Sequence, residues 1–176
     1  MTKMTEEELL GFLEAEQADA FALYNDLFEY KAGALVRRRT VNYNAKAGAI
    51  VGTLNKHTGY LVAHVAGKVR TIHRIVWAMH HGSEPQGQID HINGDRTDNR
   101  IENLRCVTNG VNSQNLRRAK SHNSLGLLGV VACRDKFHAR ITTDGRKTHL
   151  GSFATADAAH AAYIAAKRVM HEGCTI

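Results

Sequence analysis

The apolar positions of this chain change period several times, and each change marks a new element. Residues 5–29 predict a helix. Thr5 and Glu8 form a capping-box pair, acids fill the first turn, and Leu9, Leu13, Leu23 and Leu27 give an irregular apolar face. Residues 30–82 break into short runs such as Tyr60–Val65, punctuated by Gly33, Gly48, Gly52, Gly59 and Gly67, which predicts β-structure. Inside that stretch Thr71–Met79 returns to helical spacing and stops near Gly82. Gln88–His91 then reads as an apolar strand running into a polar Asn-Gly loop over 93–100. Ile101 and Leu104 open a return strand through Val107, and Thr108 is placed to cap a helix over about 109–119.

Past a polar stretch at 121–126, which reads as a linker, the period becomes two. Leu128–Ala132, Lys136–Ile141 and Arg146–Gly151 predict three short strands, the first two joined through Arg134-Asp135 and the last two by Asp144-Gly145. Phe137, Ala139 and Ile141 alternate with Lys136, His138 and Arg140, so one face is apolar and the other is free to meet phosphates and base edges. Thr155 caps an alanine-rich helix over about 156–171, with Ala158, Ala161, Ala162 and Ala165 as a small face for close approach to the sheet. The expected fold class is α+β. Its parts are an acidic N-terminal helix (1–30), a mixed domain (31–120), a linker (121–126) and a small three-stranded antiparallel sheet with one packing helix (127–176).

Composition excludes some classes. With 43% hydrophobic and 23% charged residues the chain reads as an ordinary globular protein, and it has no run of the ~18 apolar residues that a membrane helix needs. The opening Met-Thr-Lys-Met-Thr followed by glutamates is unlike a secretory signal, so the expected location is cytoplasmic. Cys106, Cys133 and Cys174 form no CxxC pair, which argues against a zinc ribbon or a disulfide framework. Charge is unevenly spread. Residues 1–30 carry eight acids against Lys3, a net −7, whereas residues 31–176 carry 22 Lys and Arg against nine acids, a net +13. A basic body of this size attracts a polyanion, usually nucleic acid. The acidic N-terminal helix is read as packing on the core, with a partner-binding or DNA-mimicking arm as the other reading.

The densest chemistry lies in Gln88–Arg105. Asp90 and His91 end an apolar strand; neighbours on an ideal strand face opposite ways, but a strand end or bulge can re-aim them. Asp90 supplies an oxygen suited to a hard divalent ion, and Asn112 on the following helix can add a second. Two protein ligands leave room for water and phosphate oxygens. His91, with an ordinary pKa near ~6.5, can take a proton from water near neutral pH. His73 is read as structural, and a second metal site at His80-His81 is not expected.

The run Asp90-His91-Ile92-Asn93-Gly94-Asp95, then Asn99-Arg100-Ile101-Glu102-Asn103-Leu104-Arg105-Cys106-Val107-Thr108, then Asn112, resembles the His-Asn-His (HNH) homing endonucleases of phages and mobile introns. His73-Arg74-Ile75-Val76-Trp77 and Gly82 are similar to the stretch that leads into that motif, so the likeness spans roughly 60–118. It implies a ββα-metal core gripping one divalent ion against the scissile phosphate. His91 falls on the general base, Asp90 on a metal ligand, Asn103 on the central Asn that braces the loop and histidine, and Asn112 on the last motif position. At that position some members carry His and this branch carries Asn, and an Asn oxygen suits Mg²⁺ or Mn²⁺ better than zinc. Arg96, Arg100 and Arg105 are read either as phosphate contacts or as simply solvated charges, and Asn99 is a candidate for holding the loop.

The C-terminal unit resembles the three-stranded DNA-binding domain of plant ethylene-response factors, which is also found fused to phage HNH nucleases. Gly129-Val130, Arg134, Lys136–Ile141, Gly145-Arg146-Lys147, His149–Phe153, Ala158-Ala159 and Ala161–Tyr163 carry the likeness. It implies a sheet laid in the major groove, with Arg134, Lys136, His138, Arg140, Arg146 and Lys147 as DNA contacts. His138 stands where a tryptophan is common, which leaves open the bases that are read. The sequence reading is therefore a homing-type endonuclease that hydrolyses double-stranded DNA with one Mg²⁺ or Mn²⁺ per site. One active site cuts one strand, so a double-strand cut calls for a homodimer or a second pass. The other readings are a catalytically silent DNA-binding regulator and, less well supported for want of exposed stacking aromatics, an RNA-binding protein.

Overall fold

A computed structural model describes residues 20–119 and 123–176. The chain divides into two compact units, one running up to His91 and resuming over Asp95–Cys106, the other made of Ile92–Gly94 and Val107–Ile176.

In the first unit residues 20–27 form helix α1, and the chain then turns into a hairpin of β1 (Phe28–Lys31) and β2 (Ala34–Arg37), which β3 (Ile50–Val51) extends. The helix expected to reach residue 29 thus stops at 27. Ala32 and Gly33, at φ 47° and 92°, form a tight left-handed turn that pairs Phe28 with Arg37 and drives the Phe28 ring into the core. The part expected over residues 5–19, with Thr5, Glu8, Leu9 and Leu13, lies outside the described residues.

A second antiparallel sheet comprises β4 (Thr53–Leu54), β5 (Leu61–Val65) and β6 (Lys68–Thr71). Helix α2 (Ile72–His81) follows as the helical spacing predicts, burying Ile72, Ile75, Val76 and Ala78 and ending on Gly82 in the left-handed conformation. These residues pack with Phe28, Leu35, Val65, Ile89 and Leu104 in one core. The last pair of strands is β7 (Gln88–His91) and β8 (Leu104–Val107). Ile101–Asn103, expected to begin β8, is instead a 3₁₀ turn. The Tyr30 hydroxyl accepts from Ile101 N (3.0 Å) and the Asn103 amide donates to Asp98 O (2.8 Å), so this backbone is committed to the loop.

In the second unit α3 (Asn109–Gln114) starts on Thr108, whose hydroxyl accepts from Val111 N at 3.3 Å. It ends well short of residue 119, because Asn115 turns the chain and Leu116 O accepts from the Lys167 ammonium rather than from a further helical turn. Strands β9 (Val130–Cys133), β10 (Lys136–Thr143) and β11 (Arg146–Phe153) make an antiparallel sheet with β10 in the centre, and α4 (Ala156–Met170) packs on it. Asp144 and Gly145, at φ 52° and 76°, form the hairpin turn that Asp-Gly predicts.

The helix presents a different face from the alanine stripe. Ala159, Tyr163 and Lys167 are buried and Ala162 packs partly buried beside them, while Ala158, Ala161 and Ala165 are exposed. Tyr163 decides this, for its ring lies flat against Gly129, where an added Cβ would stand 2.0 Å from a ring carbon and the backbone has φ 72°. Gly129→Ala is therefore expected to destabilise the fold by about 2 kcal/mol or more, lowering Tm by ~4–8 °C in a thermal melt; an unchanged Tm would show that the ring does not sit there.

Candidate functional site

Strand β7 carries Ile89 into the core and ends with Asp90 and His91, both buried. The two neighbours have different surroundings, as their places on a strand require. Asp90 is held by Arg105 from β8, whose Nε and Nη2 donate to Oδ2 at 2.9 and 2.7 Å. His91 meets the loop and the preceding sheet. Its Nε2 lies 3.2 Å from Asn99 Oδ1, while the Asn99 amide nitrogen donates to Thr97 O at 3.1 Å. That second bond fixes the amide orientation, so an oxygen faces the ring. An oxygen only accepts, hence Nε2 carries the proton and the neutral ring keeps its lone pair on Nδ1. Burial pushes the His91 pKa below its ordinary value of 6.5. The Asn99 bond, and then the carboxylates of Asp90, Asp95 and Asp98, oppose this only in part.

Short local bonds shape the loop. Asp95 Oδ1 accepts from Thr97 N (2.9 Å) and Thr97 Oγ1 (2.7 Å), which holds its carboxyl below the usual carboxylate range. Asn103, itself buried, ties the 3₁₀ turn back to Asp98. Asn99, four residues earlier and 1% exposed, is the amide that meets the His91 ring.

Tyr60 is the residue that sequence reasoning missed. The turn over Asn55–Tyr60 closes through Gly59 N to Asn55 O (2.7 Å) and Asn55 N to Tyr60 O (2.9 Å). It stacks the Tyr60 ring on His91, the planes inclined at 29° and the centroids 5.8 Å apart, and sets it edge-on to His73 at 4.8 Å. His73 meets His91 edge-on at 5.2 Å. It is buried, with Nε2 3.1 Å from Thr71 Oγ1 and Nδ1 without a partner among the described residues, and burial lowers its pKa to about 3. This neutral, enclosed ring fits the structural role expected of it. The signal for Tyr60 was an aromatic placed directly after the Gly59 turn, which by itself does not name the surface it would meet.

The arginines near the loop all have protein partners. Arg96 Nη1 donates to Thr58 O (2.6 Å) with its guanidinium 5.0 Å above the Tyr60 ring, Arg100 is bidentate to Asp98 (2.9 and 2.8 Å), and Arg105 holds Asp90. His80 and His81 are used in packing, edge-on to Tyr30 (4.5 Å) and stacked on Trp77 (3.8 Å).

In the second unit, Asn112 lies on α3. On the sheet, cross-strand partners share a face. Lys136, His138 and Arg140 stand opposite Cys133, Val131 and His149, and Lys147 stands opposite Thr142, so these four basic side chains share the face away from α4. Arg146 pairs with Thr143 on the other parity, and Arg134 sits in the β9–β10 turn at φ 53°. His138 and His149 meet edge-on at 5.1 Å.

Asp90 and Asn112 supply hard oxygen donors, and among the described residues no group of three His, Cys, Asp or Glu side chains forms a metal cluster. A carboxylate and an amide oxygen are each donors that suit a hard ion such as Mg²⁺. No helix among the described residues is long and apolar enough to cross a membrane. Residues 70–114 match the family model described as HNH endonuclease. That span runs from β6 to α3 and contains Asp90, His91, Asn99, Asn103 and Asn112. No curated protein and no solved structure matches the chain.

Proposed function

We propose that this protein is a homing-type DNA endonuclease that hydrolyses phosphodiester bonds in double-stranded DNA, with His91 as general base and one Mg²⁺ or Mn²⁺ ion held by Asp90 and Asn112. The observation that carries the reading is the buried Asp90-His91 pair with its imidazole tautomer set by Asn99, inside the segment that is similar to HNH endonucleases. With its proton on Nε2, His91 presents an Nδ1 lone pair to the attacking water and takes its proton as the water oxygen bonds to phosphorus. Asn99 keeps the ring from rotating, Tyr60 and His73 enclose it, and Asn103 holds the loop in shape. When bound, the ion neutralises charge on the phosphoryl oxygens and the leaving 3′ oxygen. Arg105, beside Asp90, is placed to turn toward the phosphate once that carboxylate has another cation to face, with Arg96 and Arg100 as further backbone contacts.

The sheet of the second unit serves as the duplex reader. Lys136, His138, Arg140 and Lys147 meet the major groove, with Arg134 and Arg146 at its margins. The setting that suits such an enzyme is the cytoplasm of a bacterial or phage-infected cell, and a homodimer would place two active sites on the two strands. One observation favours a second reading, a silent DNA-binding regulator: Asp90 is already neutralised by Arg105.

The test incubates supercoiled DNA with the protein in Mg²⁺ or in EDTA. Relaxed or linear product in Mg²⁺ and none in EDTA is expected, and the product form separates nicking from double-strand cleavage. DNA retained on the protein but uncut in Mg²⁺ and Mn²⁺, with the natural target present, would sink the nuclease reading in favour of the regulator.

A further inference from the structure

Helix α3 raises a question of support. It has six residues, none of them buried, and helices this short do not hold themselves in water. Within the second unit its support comes from the chain's last residues. Gly173 N donates to Gln114 Oε1 at 3.0 Å, and a Cβ on Gly173 would stand 2.2 Å from Val111 O, so the two backbones touch where only glycine fits. The Thr175 hydroxyl donates to Asn115 Oδ1 at the end of α3. The Arg117 guanidinium then joins three segments, donating to Thr175 O (2.9 Å), Thr175 Oγ1 (2.6 Å) and Ile92 O (3.0 Å). Its side chain lies across Gly94, where a Cβ would be 2.4 Å from Arg117 Cδ. The Asn-Gly of the loop is thus also the place that lets this arginine through.

We infer that residues 173–176, acting with Arg117, are positioning residues for Asn112. They brace the helix that carries this candidate ligand, from within the same unit. The inference rests on Asn112 as a ligand. Here the residues after α4 supply the hydrogen bonds that a six-residue helix lacks. The effect on the site is that of a bond behind a ligand, whose loss typically weakens metal affinity or activity by ~10–100-fold.

The experiment uses the full chain and reads direct Mn²⁺ binding by the loss of the free-ion EPR signal, beside single-turnover DNA cleavage, DNA affinity in EDTA and Tm. Gly173→Ala wedges the tail away from α3, Thr175→Val removes the hydroxyl at constant volume, Thr175→Ser keeps it, and Asn112→Ala sets the scale. Gly173→Ala and Thr175→Val are expected to weaken Mn²⁺ binding and slow cleavage by roughly 10-fold each, with DNA affinity in EDTA held in both and Tm held in Thr175→Val, and Thr175→Ser is expected to restore the wild-type values. Should Gly173→Ala unfold, the Thr175 pair decides alone. Mn²⁺ binding lost in Asn112→Ala but intact in Gly173→Ala and Thr175→Val overturns the brace by itself. Mn²⁺ binding intact in Asn112→Ala overturns the metal assignment and takes the brace with it.

Discussion

Replacing His91 by alanine is expected to slow single-turnover DNA cleavage by ~10²–10⁴-fold while DNA affinity in EDTA stays at the wild-type value. The ring is buried, so its removal also leaves space beside Tyr60 and His73. A melt must therefore accompany the rate, and His91→Gln, which fills more of that space, serves as the second variant. The pH profile separates a base from a packing residue. His91 works in its neutral form, so the rate rises with pH through its pKa, by about tenfold per unit below it. Burial is the largest influence on that pKa and lowers it. The acid limb is thus expected to level off below pH 6.5. Asn99→Asp tests the sign in the other direction. A carboxylate in place of the amide favours the charged ring, so the limb should move to higher pH while the hydrogen bond to Nε2 survives. A limb that stays put in Asn99→Asp would remove His91 from the base's role.

What could be read in advance and what could not divide along a physical line. The cap at Thr108 depends on a backbone amide three residues on, and sequence spacing reports such a neighbour directly. The choice of Asn99 as the residue facing His91 depends on the path of the 93–100 loop, which the Asn99–Thr97 bond and the Asn103–Asp98 brace determine together. Two asparagines four positions apart were equally available to the eye. Tyr60 lies farther off, 31 positions before His91, and arrives through the pairing of β4–β6 and the packing of α2 on that sheet. No period in the sequence encodes that meeting.

The same line runs through the other misses. An alanine count favoured Ala158, Ala161, Ala162 and Ala165 as the packing face; Ala162 does pack, but the bulk of Tyr163 and its fit against Gly129 turn the other three outward. Helix α3 stops early because its C-terminal groups are bonded to residues more than 50 positions later. Whether Arg105 faces solvent or a buried carboxylate is settled by the β7–β8 pairing, which places it beside Asp90.

The last expected result concerns acid stability and the enclosed ring of His73. In the folded chain its pKa falls to about 3, through burial first and then the neighbouring His91 and Arg74, whereas an unfolded chain restores a value near 6.5. Between those two values the unfolded state binds a proton that the folded state does not, so stability falls as pH falls, by up to about 1.4 kcal/mol per pH unit from this group. From neutral pH to 4.5 the loss is on the order of 3 kcal/mol, a large part of a typical domain's reserve. Above pH 6.5 the ring is neutral in both states and contributes no slope. His73→Phe keeps an aromatic ring against Tyr60 and His91 but cannot take up the proton, so its stability should decline more gently over the same window, although the lost Thr71 bond lowers its value at pH 7. Urea unfolding at pH 7.5, 6.0 and 4.5 measures both chains. The difference between them cancels the titrating groups that do not touch the His73 ring. Parallel lines for the two proteins would mean that His73 accepts a proton in the folded state, and that the ring beside the proposed base is open to water.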